Sequence, residues 1–312
     1  MKTRNKPQKT SPQPTLSLCM IVKNEEKFIR SCLKSVQPIV NEFVIADTGS
    51  TDGTIQIARE FDAKIINSHW TGSFSKARNE SLQHATGDWI LLLDADETIA
   101  EADLFKIKKL IQEGKHQAYF VTTRNYTDDT STAGWRPCRD NYEESKNFLG
   151  WFPSTKIRLF QNSPEIYFEG EVHECVEASL RRNHKSIGST EVPVHNFQEL
   201  KGLEVIKQKQ LRYLKLCLEK IKNHPDNADT YYEIGKVYNR YENKLQESLE
   251  NLQKAINLNP GHELAHYELA EVYRKTGRYS EAIEEYKTTL RISPRNYGAR
   301  KALEEVRLSW GW

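Results

Sequence analysis

The sequence predicts an α/β domain, a mostly parallel sheet sandwiched by helices, followed by an all-α repeat domain. Three observations predict it. Short apolar runs alternate with amphipathic stretches from residue 16 to about residue 114. The runs end in polar turns rich in carboxylates, as in "WILLLDADE" at residues 89–97. A self-similar unit of about 34 residues recurs from Ala228 onward.

Each element follows from its residues in order. "LSLCMIV" is strand-like, and "NEEKFIRSCLKSVQPIV" sets Phe28, Ile29, Leu33 and Val36 at helical spacing. "EFVIAD" returns to strand, "TDGTIQIAREFD" to helix, "AKIINS" to strand, "FSKARNESLQHAT" to helix and "DWILLLD" to strand. Alternation of this kind argues for right-handed crossovers and a parallel sheet covered on both faces. Ligands of such sheets bind beyond the carboxyl ends of the strands. Asn24, Glu25, Asp47, Asp94 and Asp96 are therefore expected to converge there. Residues 115–199 are less regular; "YFVTTRNY", "KIRLFQN" and "IYFEGEVHECV" read as strands and edge loops where an acceptor would bind.

From Ala228 the texture changes. "ADTYYEIGKVYNRYENKLQESLENLQKAINLNP" and "ELAHYELAEVYRKTGRYSEAIEEYKTTLRISP" place Tyr, Gly, Ala and Pro in the order of a tetratricopeptide unit, with small residues where paired helices approach. The expected boundaries are a basic disordered tail at 1–15, the α/β domain at 16–200, a linking helix at 201–224, and repeats at 228–261 and 263–294 with a capping helix to 312.

Composition narrows the function. With 38% hydrophobic and 28% charged residues in a chain of 312, the class is soluble and globular; a formal charge of +2 argues against nucleic acid as partner. The five cysteines lack C-x-x-C spacing and read as reduced thiols of a cytoplasmic protein. No apolar run approaches the roughly 18 residues of a membrane span. The basic tail, with Lys2, Arg4, Lys6 and Lys9, allows at most weak peripheral contact with anionic lipid. No G-x-G-x-x-G follows the first strand, which argues against a dinucleotide-dependent dehydrogenase.

Asp94-Ala95-Asp96 at a strand end offers two hard oxygen donors, suited to Mg²⁺ or Mn²⁺ that takes its remaining ligands from phosphates and water. Taken alone, so short a motif equally fits a solvated turn or a helix cap.

The motifs "LSLCMIVKNEE", "EFVIADTGSTDGT" and "FSKARNESLQHATGDWILLLDADE" resemble family 2 glycosyltransferases of the GT-A fold over residues 16–114. "FEGEVHE", then "VPVHNF", then the repeats resemble a bacterial branch with sublancin-type peptide S-glycosyltransferases. The catalytic half is also similar to lipopolysaccharide-core β-glucosyltransferases. The resemblance implies a Rossmann-like donor domain in which Asn24 and Glu25 lie on the nucleoside side, Glu25 at the ribose. It further implies Asp47 at the base, Arg78 near the nucleotide or its phosphates, Asp94 at the ribose and Asp96 on the metal, with His195 as a further metal-ligand candidate.

Family 2 enzymes generally invert the anomeric centre, which needs one base on the acceptor side. Glu174 is the first candidate, Glu171 its rival, and His173 an orienting or alternative group. These carboxylates also fit the outward positions of an alternating strand. Likewise His195 fits a hydrogen-bonded core residue, Arg78 a surface charge, and Trp135, Trp151 and Phe152 packing as well as sugar stacking.

The expected function is therefore an inverting, metal-dependent transferase. It would move a sugar from a nucleotide-sugar, with UDP favoured, to a Cys or Ser/Thr side chain of a peptide or protein. The repeats would recruit the acceptor or mediate a homodimer. A cell-surface glycan acceptor is the alternative within the class. A non-catalytic tetratricopeptide adaptor is the alternative outside it, although none of the donor-site residues is missing.

Overall fold

The computed structural model describes residues 13–130, 132, 134–170, 174–294 and 296–310. In chain order the first domain comprises β1 (Leu16–Val22), α1 (Ile29–Val36), β2 (Glu42–Asp47), α2 (Thr54–Arg59), β3 (Lys64–Asn67), α3 (Phe74–Gln83) and β4 (Trp89–Leu92). It continues with β5 (Glu97–Thr98), α4 (Leu104–Glu113), β6 (Ala118–Thr127), β7 (Arg136–Pro137), β8 (Gly150–Gln161), α5 (Glu177–Arg182), β9 (Ile187–Ser189) and β10 (Val194–Asn196).

The sheet runs β3-β2-β1-β4-β8-β6-β10-β5, with β7 on β8 and β9 on β6. The first four strands are parallel, as their helical crossovers require. Beyond β4 the sheet becomes mixed, because β8 runs antiparallel to both β4 and β6. The expectation of a mostly parallel sheet thus holds for the donor half only. "KIRLFQN" is the end of the long β8, and among the described residues of "IYFEGEVHECV" the expected strand is represented by a bridge between Glu169 and Cys175.

Strand alternation divides the core into two layers. Leu16, Leu18, Met20, Ile45, Leu91 and Leu93 pack with Ile29, Cys32, Leu33 and Val36 of α1 and with Leu104, Ile107 and Ile111 of α4. Cys19, Val44, Ile90 and Leu92 face the opposite layer with Phe160, Phe168 and Leu180. Each such fully buried aliphatic side chain contributes about 1.5–3 kcal/mol relative to exposure. The α1 positions are spaced i, i+3, i+4, i+7, so the helix presents one continuous apolar face. Burial raises the Cys19 thiol to about 12 and lifts that of Cys32 well above its ordinary value, leaving both as apolar core groups. Thr15, assigned to the tail by its composition, is instead tied to Asp88, whose Oδ2 accepts from its amide and hydroxyl, both at 2.8 Å.

The second domain is helical: α6 (Leu203–Asn223), α7 (Ala228–Asn239), α8 (Leu245–Leu258), α9 (Glu263–Lys275), α10 (Tyr279–Ile292) and α11 (Tyr297–Trp310). The four helices α7 to α10 are the two expected repeats, and α6 and α11 flank them. Gly235 of α7 lies so close to α8 that an added Cβ would sit 2.6 Å from Leu252 Cγ. Only glycine permits that approach. Lys301 of α11 donates to Thr130 Oγ1 at 3.1 Å, so the repeats touch the loop after β6. Among the described residues no helix is long and apolar enough to cross a membrane.

Candidate active site

Parallel registration brings the carboxyl ends of β1, β2 and β4 to one edge, where Val22 pairs with Asp47 and Cys19 with Leu92. The two loops after β1 and β2 then lace together. Asn24, in the left-handed region at φ 56°, donates its amide to Ser50 Oγ at 3.0 Å, and its Oδ1 accepts from the Thr51 amide at 2.7 Å. Asp47 accepts from the Ser50 amide at 3.0 Å through Oδ1, an Asx turn that fixes its buried carboxylate at the edge. The Glu25 amide donates to Thr54 Oγ1 at 2.7 Å, which holds this residue at the mouth of the same edge.

After β4 the chain turns sharply. The Asp94 amide donates to Glu97 Oε2 at 2.8 Å and the Glu97 amide returns to the Asp94 carbonyl at 3.0 Å. Asp94 Oδ1 then accepts from Arg78 Nη2 at 2.9 Å, and its Oδ2 lies 3.8 Å from Arg158 Nη1. Burial works to raise Asp94, but the charges of Arg78, Arg158 and Lys156 hold its carboxyl well below the usual carboxylate range. Burial pushes Glu97 up to about 7; Asp94 and Asp96 add to this and Arg158, at 2.6 Å, opposes it.

Arg78 is the hub. Its side chain is 8% exposed, and its Nε donates to Glu174 Oε1 at 2.9 Å. Burial disfavours its charge, yet Asp94 and Glu174 more than compensate and raise it above the ordinary arginine value. The next residue fixes the loop that leads to Glu174: Asn79 donates Nδ2 to the Phe168 carbonyl at 2.9 Å and accepts from the Phe168 amide at 2.8 Å. Arg78 thus sits inside the site rather than on a helix surface, joining the Asp94 turn to the loop that carries Glu174.

Asp96 is 4% exposed. Its carbonyl accepts from the Phe197 amide at 2.9 Å, and its Oδ2 lies 3.1 Å from Lys201 Nζ. The same ammonium donates to Glu25 Oε1 at 2.6 Å and Oε2 at 2.7 Å. Burial lowers Lys201, but Asp96 and Glu25 outweigh it and raise the group above the usual lysine value. The two expected donor-site carboxylates, one from each side of the cleft, therefore converge on a single cation. This donor set fits a divalent metal: hard oxygen ligands that already select positive charge, with Asp96 Oδ2 taking no directed hydrogen bond. Among the described residues no group of three or more His, Cys, Asp or Glu side chains is placed to hold a metal by itself. That is consistent with Mg²⁺ sites, which use one or two carboxylates and complete their shell with phosphates and water.

His195 is not among these groups. On β10 the Asn196 side chain faces Glu97 at 3.5 Å, and strand alternation turns His195 to the face it shares with its β5 partner Thr98. There its Nδ1 pairs with Tyr126 Oη at 2.7 Å and its ring lies against Tyr142. Burial, with Arg124, lowers its pKa to about 4. His195, expected as a metal ligand from "VHNF", thus stands in an aromatic cluster two residues before Phe197, whose amide bonds the Asp96 carbonyl, and its Nε2 is buried without a hydrogen-bond partner among the described residues. Trp135 is buried and donates Nε1 to the Thr127 carbonyl at 3.2 Å, while Trp151 carries the guanidinium groups of Arg124 and Arg136 over its ring. Glu171 and His173 lie outside the described residues. Glu97, Arg158, Asn79 and Lys201 were not singled out from the sequence. The Asp-Glu adjacency in "DADE" was the one available sign for Glu97.

Residues 17–169 match the family described as Glycosyl transferase family 2, and residues 239–305 match a tetratricopeptide repeat. A TPR repeat-containing protein of Synechococcus elongatus is 37% identical over 53% of this chain and 36% of its own length. The SPbeta prophage-derived glycosyltransferase SunS of Bacillus subtilis is 27% identical over 79% of this chain and 54% of its own. The structure of S. aureus TarS 1-349 aligns over 91% of this chain and 93% of its own, with 15% identity and a TM-score of 0.42. The chain thus spans about half or less of the two curated relatives. Residues 17–169 carry a family 2 glycosyltransferase domain, and residues 239–305 a tetratricopeptide repeat.

Proposed function

We propose that this chain transfers a sugar from a nucleotide-sugar, with a UDP-sugar favoured, to a Cys or Ser/Thr side chain of a peptide or protein, inverting the anomeric centre. The observation that carries the reading is the convergence of Glu25, Asp47, Arg78, Asp94 and Asp96 at the carboxyl edge of one family 2 sheet. In this reading Asp47 serves the base and Glu25 the ribose, supported by the loop hydrogen bonds that fix their backbones, and Asp94, its carboxyl held low by Arg78, Arg158 and Lys156, accepts from the ribose. Mg²⁺ or Mn²⁺, held by Asp96 when bound, would supply positive charge against the departing diphosphate.

Glu174 is the base in this reading. Arg78 occupies its Oε1 and orients the carboxylate, and Oε2 takes the proton of the acceptor hydroxyl or thiol as the sugar carbon is attacked in line. The peptide acceptor rests on the repeats, since concave helical arrays commonly bind extended peptides.

The test is thermal stabilisation and donor hydrolysis by UDP- and GDP-sugars with Mn²⁺, Mg²⁺ or EDTA, beside Asp96→Ala. A donor at about 100 times its dissociation constant adds roughly 2.7 kcal/mol. Metal-dependent stabilisation by one donor, lost in Asp96→Ala, is the expected result. Absence of binding under every metal condition by the folded protein would overturn the proposal in favour of an adaptor.

A further inference from the structure

We infer that Lys201 is a donor-binding residue that exchanges partners: it neutralises Glu25 and Asp96 in the empty site and moves to the diphosphate when the donor binds. The inference rests on the transferase reading above and adds a residue that the motifs do not mark. Four observations carry it. The Lys201 ammonium lies 2.6 and 2.7 Å from the Glu25 oxygens and 3.1 Å from Asp96 Oδ2, and the side chain is only 7% exposed. It reaches that position over the Phe28 ring, 5.4 Å from the centroid, from a short 3-10 turn at Gln198–Lys201. Gly202 follows at φ 87° and ψ 149°, a conformation open essentially to glycine alone, and nothing lies within 4 Å of where its Cβ would be. The lysine therefore stands at the joint between the β10 end and α6, on a four-carbon stem whose head is a mobile point charge.

The physical argument is one of exclusion. A divalent cation ligated by Asp96 and an ammonium in contact with the same carboxylate oxygen repel each other strongly in a buried site. Lys201 must withdraw for the metal to engage Asp96, and its departure also breaks its contact with Glu25. A buried ammonium cannot be left unpaired. The strongest anion arriving at that moment is the donor diphosphate, to which lysine is well suited as a point-charge ligand. Metal and nucleotide then help each other: the metal displaces Lys201 from the carboxylates, and the nucleotide accepts it.

This gives opposed effects that a merely structural lysine would not produce. Full-length wild type and Lys201→Gln are titrated with Mn²⁺ alone, and with UDP at saturating Mn²⁺, by calorimetry. Removing the competing ammonium is expected to tighten Mn²⁺ alone by several-fold. Removing the diphosphate contact is expected to weaken UDP by about 10-fold or more, the usual scale for a hydrogen bond to a charged group. The factor by which UDP improves Mn²⁺ affinity falls correspondingly, as linkage requires. Should Lys201→Gln fold poorly because Glu25 and Asp96 then repel, the double variant Lys201→Gln/Glu25→Gln removes that repulsion and is expected to tighten Mn²⁺ alone in the same way. Unchanged Mn²⁺ and UDP affinities, or loss of both together, would overturn the exchange. Failure of the wild type to bind UDP under any metal condition would instead overturn the transferase reading itself.

Discussion

Arg78 Nε donates to Glu174 Oε1 at 2.9 Å across 96 residues of sequence. The same guanidinium donates Nη2 to Asp94 Oδ1 at 2.9 Å, so one buried arginine joins the turn after β4 to the loop that carries Glu174. A lysine there keeps the charge but not the fork that serves both carboxylates. Arg78→Lys is expected to lose about 3–5 kcal/mol of stability, the scale for breaking a buried ion pair, and to weaken UDP binding. Urea midpoints with UDP titration check it; a variant with unchanged stability and affinity would show that the bridge has no such role.

Glu174→Gln preserves shape and the acceptor oxygen for Arg78 but cannot take a proton. Donor binding is expected to stay at the wild-type level while turnover falls by about 10²–10⁴, the range for removing a general base. Glu169→Gln is the comparison, since Glu169 pairs with the exposed Arg182 at 2.7 Å. It is expected to leave turnover unchanged. Wild-type turnover in Glu174→Gln, measured as donor hydrolysis and transfer, would remove Glu174 from the mechanism.

Glu97 gives the site a pH signature. Its folded value is raised to about 7 from 4.5, so the native state binds the proton more tightly than the unfolded chain. Its contribution is fully present below about 4.5 and is lost as pH rises through about 7, at up to roughly 1.4 kcal/mol per unit of separation. The stability of wild type relative to Glu97→Gln is expected to fall between pH 4.5 and 7. Asp94 acts oppositely: its lowered value stabilises the fold above the unfolded carboxylate range and loses that stabilisation on acidification. Denaturation of wild type, Glu97→Gln and Asp94→Asn across pH 3–8 (about five units, set by these values) separates the two. Parallel wild-type and Glu97→Gln curves would contradict the raised value.

In the repeats, His266 Nδ1 meets Glu285 at 2.5 Å and Nε2 meets the Pro260 carbonyl at 3.1 Å. The hydrogen bond to Glu285 is the main cause of its raised pKa; burial opposes it, and the Pro260 carbonyl adds to the rise. A raised histidine stabilises below its unfolded value of 6.5 and loses that contribution as pH rises through the folded value. The repeat domain is expected to become less stable above neutral pH, and His266→Gln to flatten this slope. Helical signal against temperature at about pH 6 and about pH 8.5, one below and one above the unfolded value, reads the difference.

Gly235→Ala sets two effects against each other. Alanine favours helix by about 1 kcal/mol, but its Cβ would fall 2.6 Å from Leu252 Cγ. Overpacking, at about 1–3 kcal/mol, is expected to win, and the variant to be less stable. Adding Leu252→Ala should restore part of the loss, a coupling that a double-mutant cycle measures.

Much of this molecule was legible as pattern. Period-two and period-3.6 apolar spacing located β1 to β4, their helices and both repeats, because local periodicity records which faces are buried. The strand-end rule marked Asn24, Glu25, Asp47, Asp94 and Asp96, because parallel strands bring their carboxyl ends to one edge whatever the loops do. For His195 the pattern was silent: "VHNF" says which residues alternate, but not what each face of β10 meets. That depends on its pairing with β5 and β6.

By itself the sequence determined the layer architecture, the repeat period and the carboxylate inventory, all carried by spacing along a few consecutive residues. Only the tertiary structure decided who meets whom: Arg78 with Glu174, Arg158 with Glu97, and Lys201 with Glu25 176 residues away. Each of these is an ion pair with at least one partner almost wholly withdrawn from water. Such pairs leave no periodic trace, because desolvation obliges every buried charge to find a partner but leaves its place in the chain unspecified.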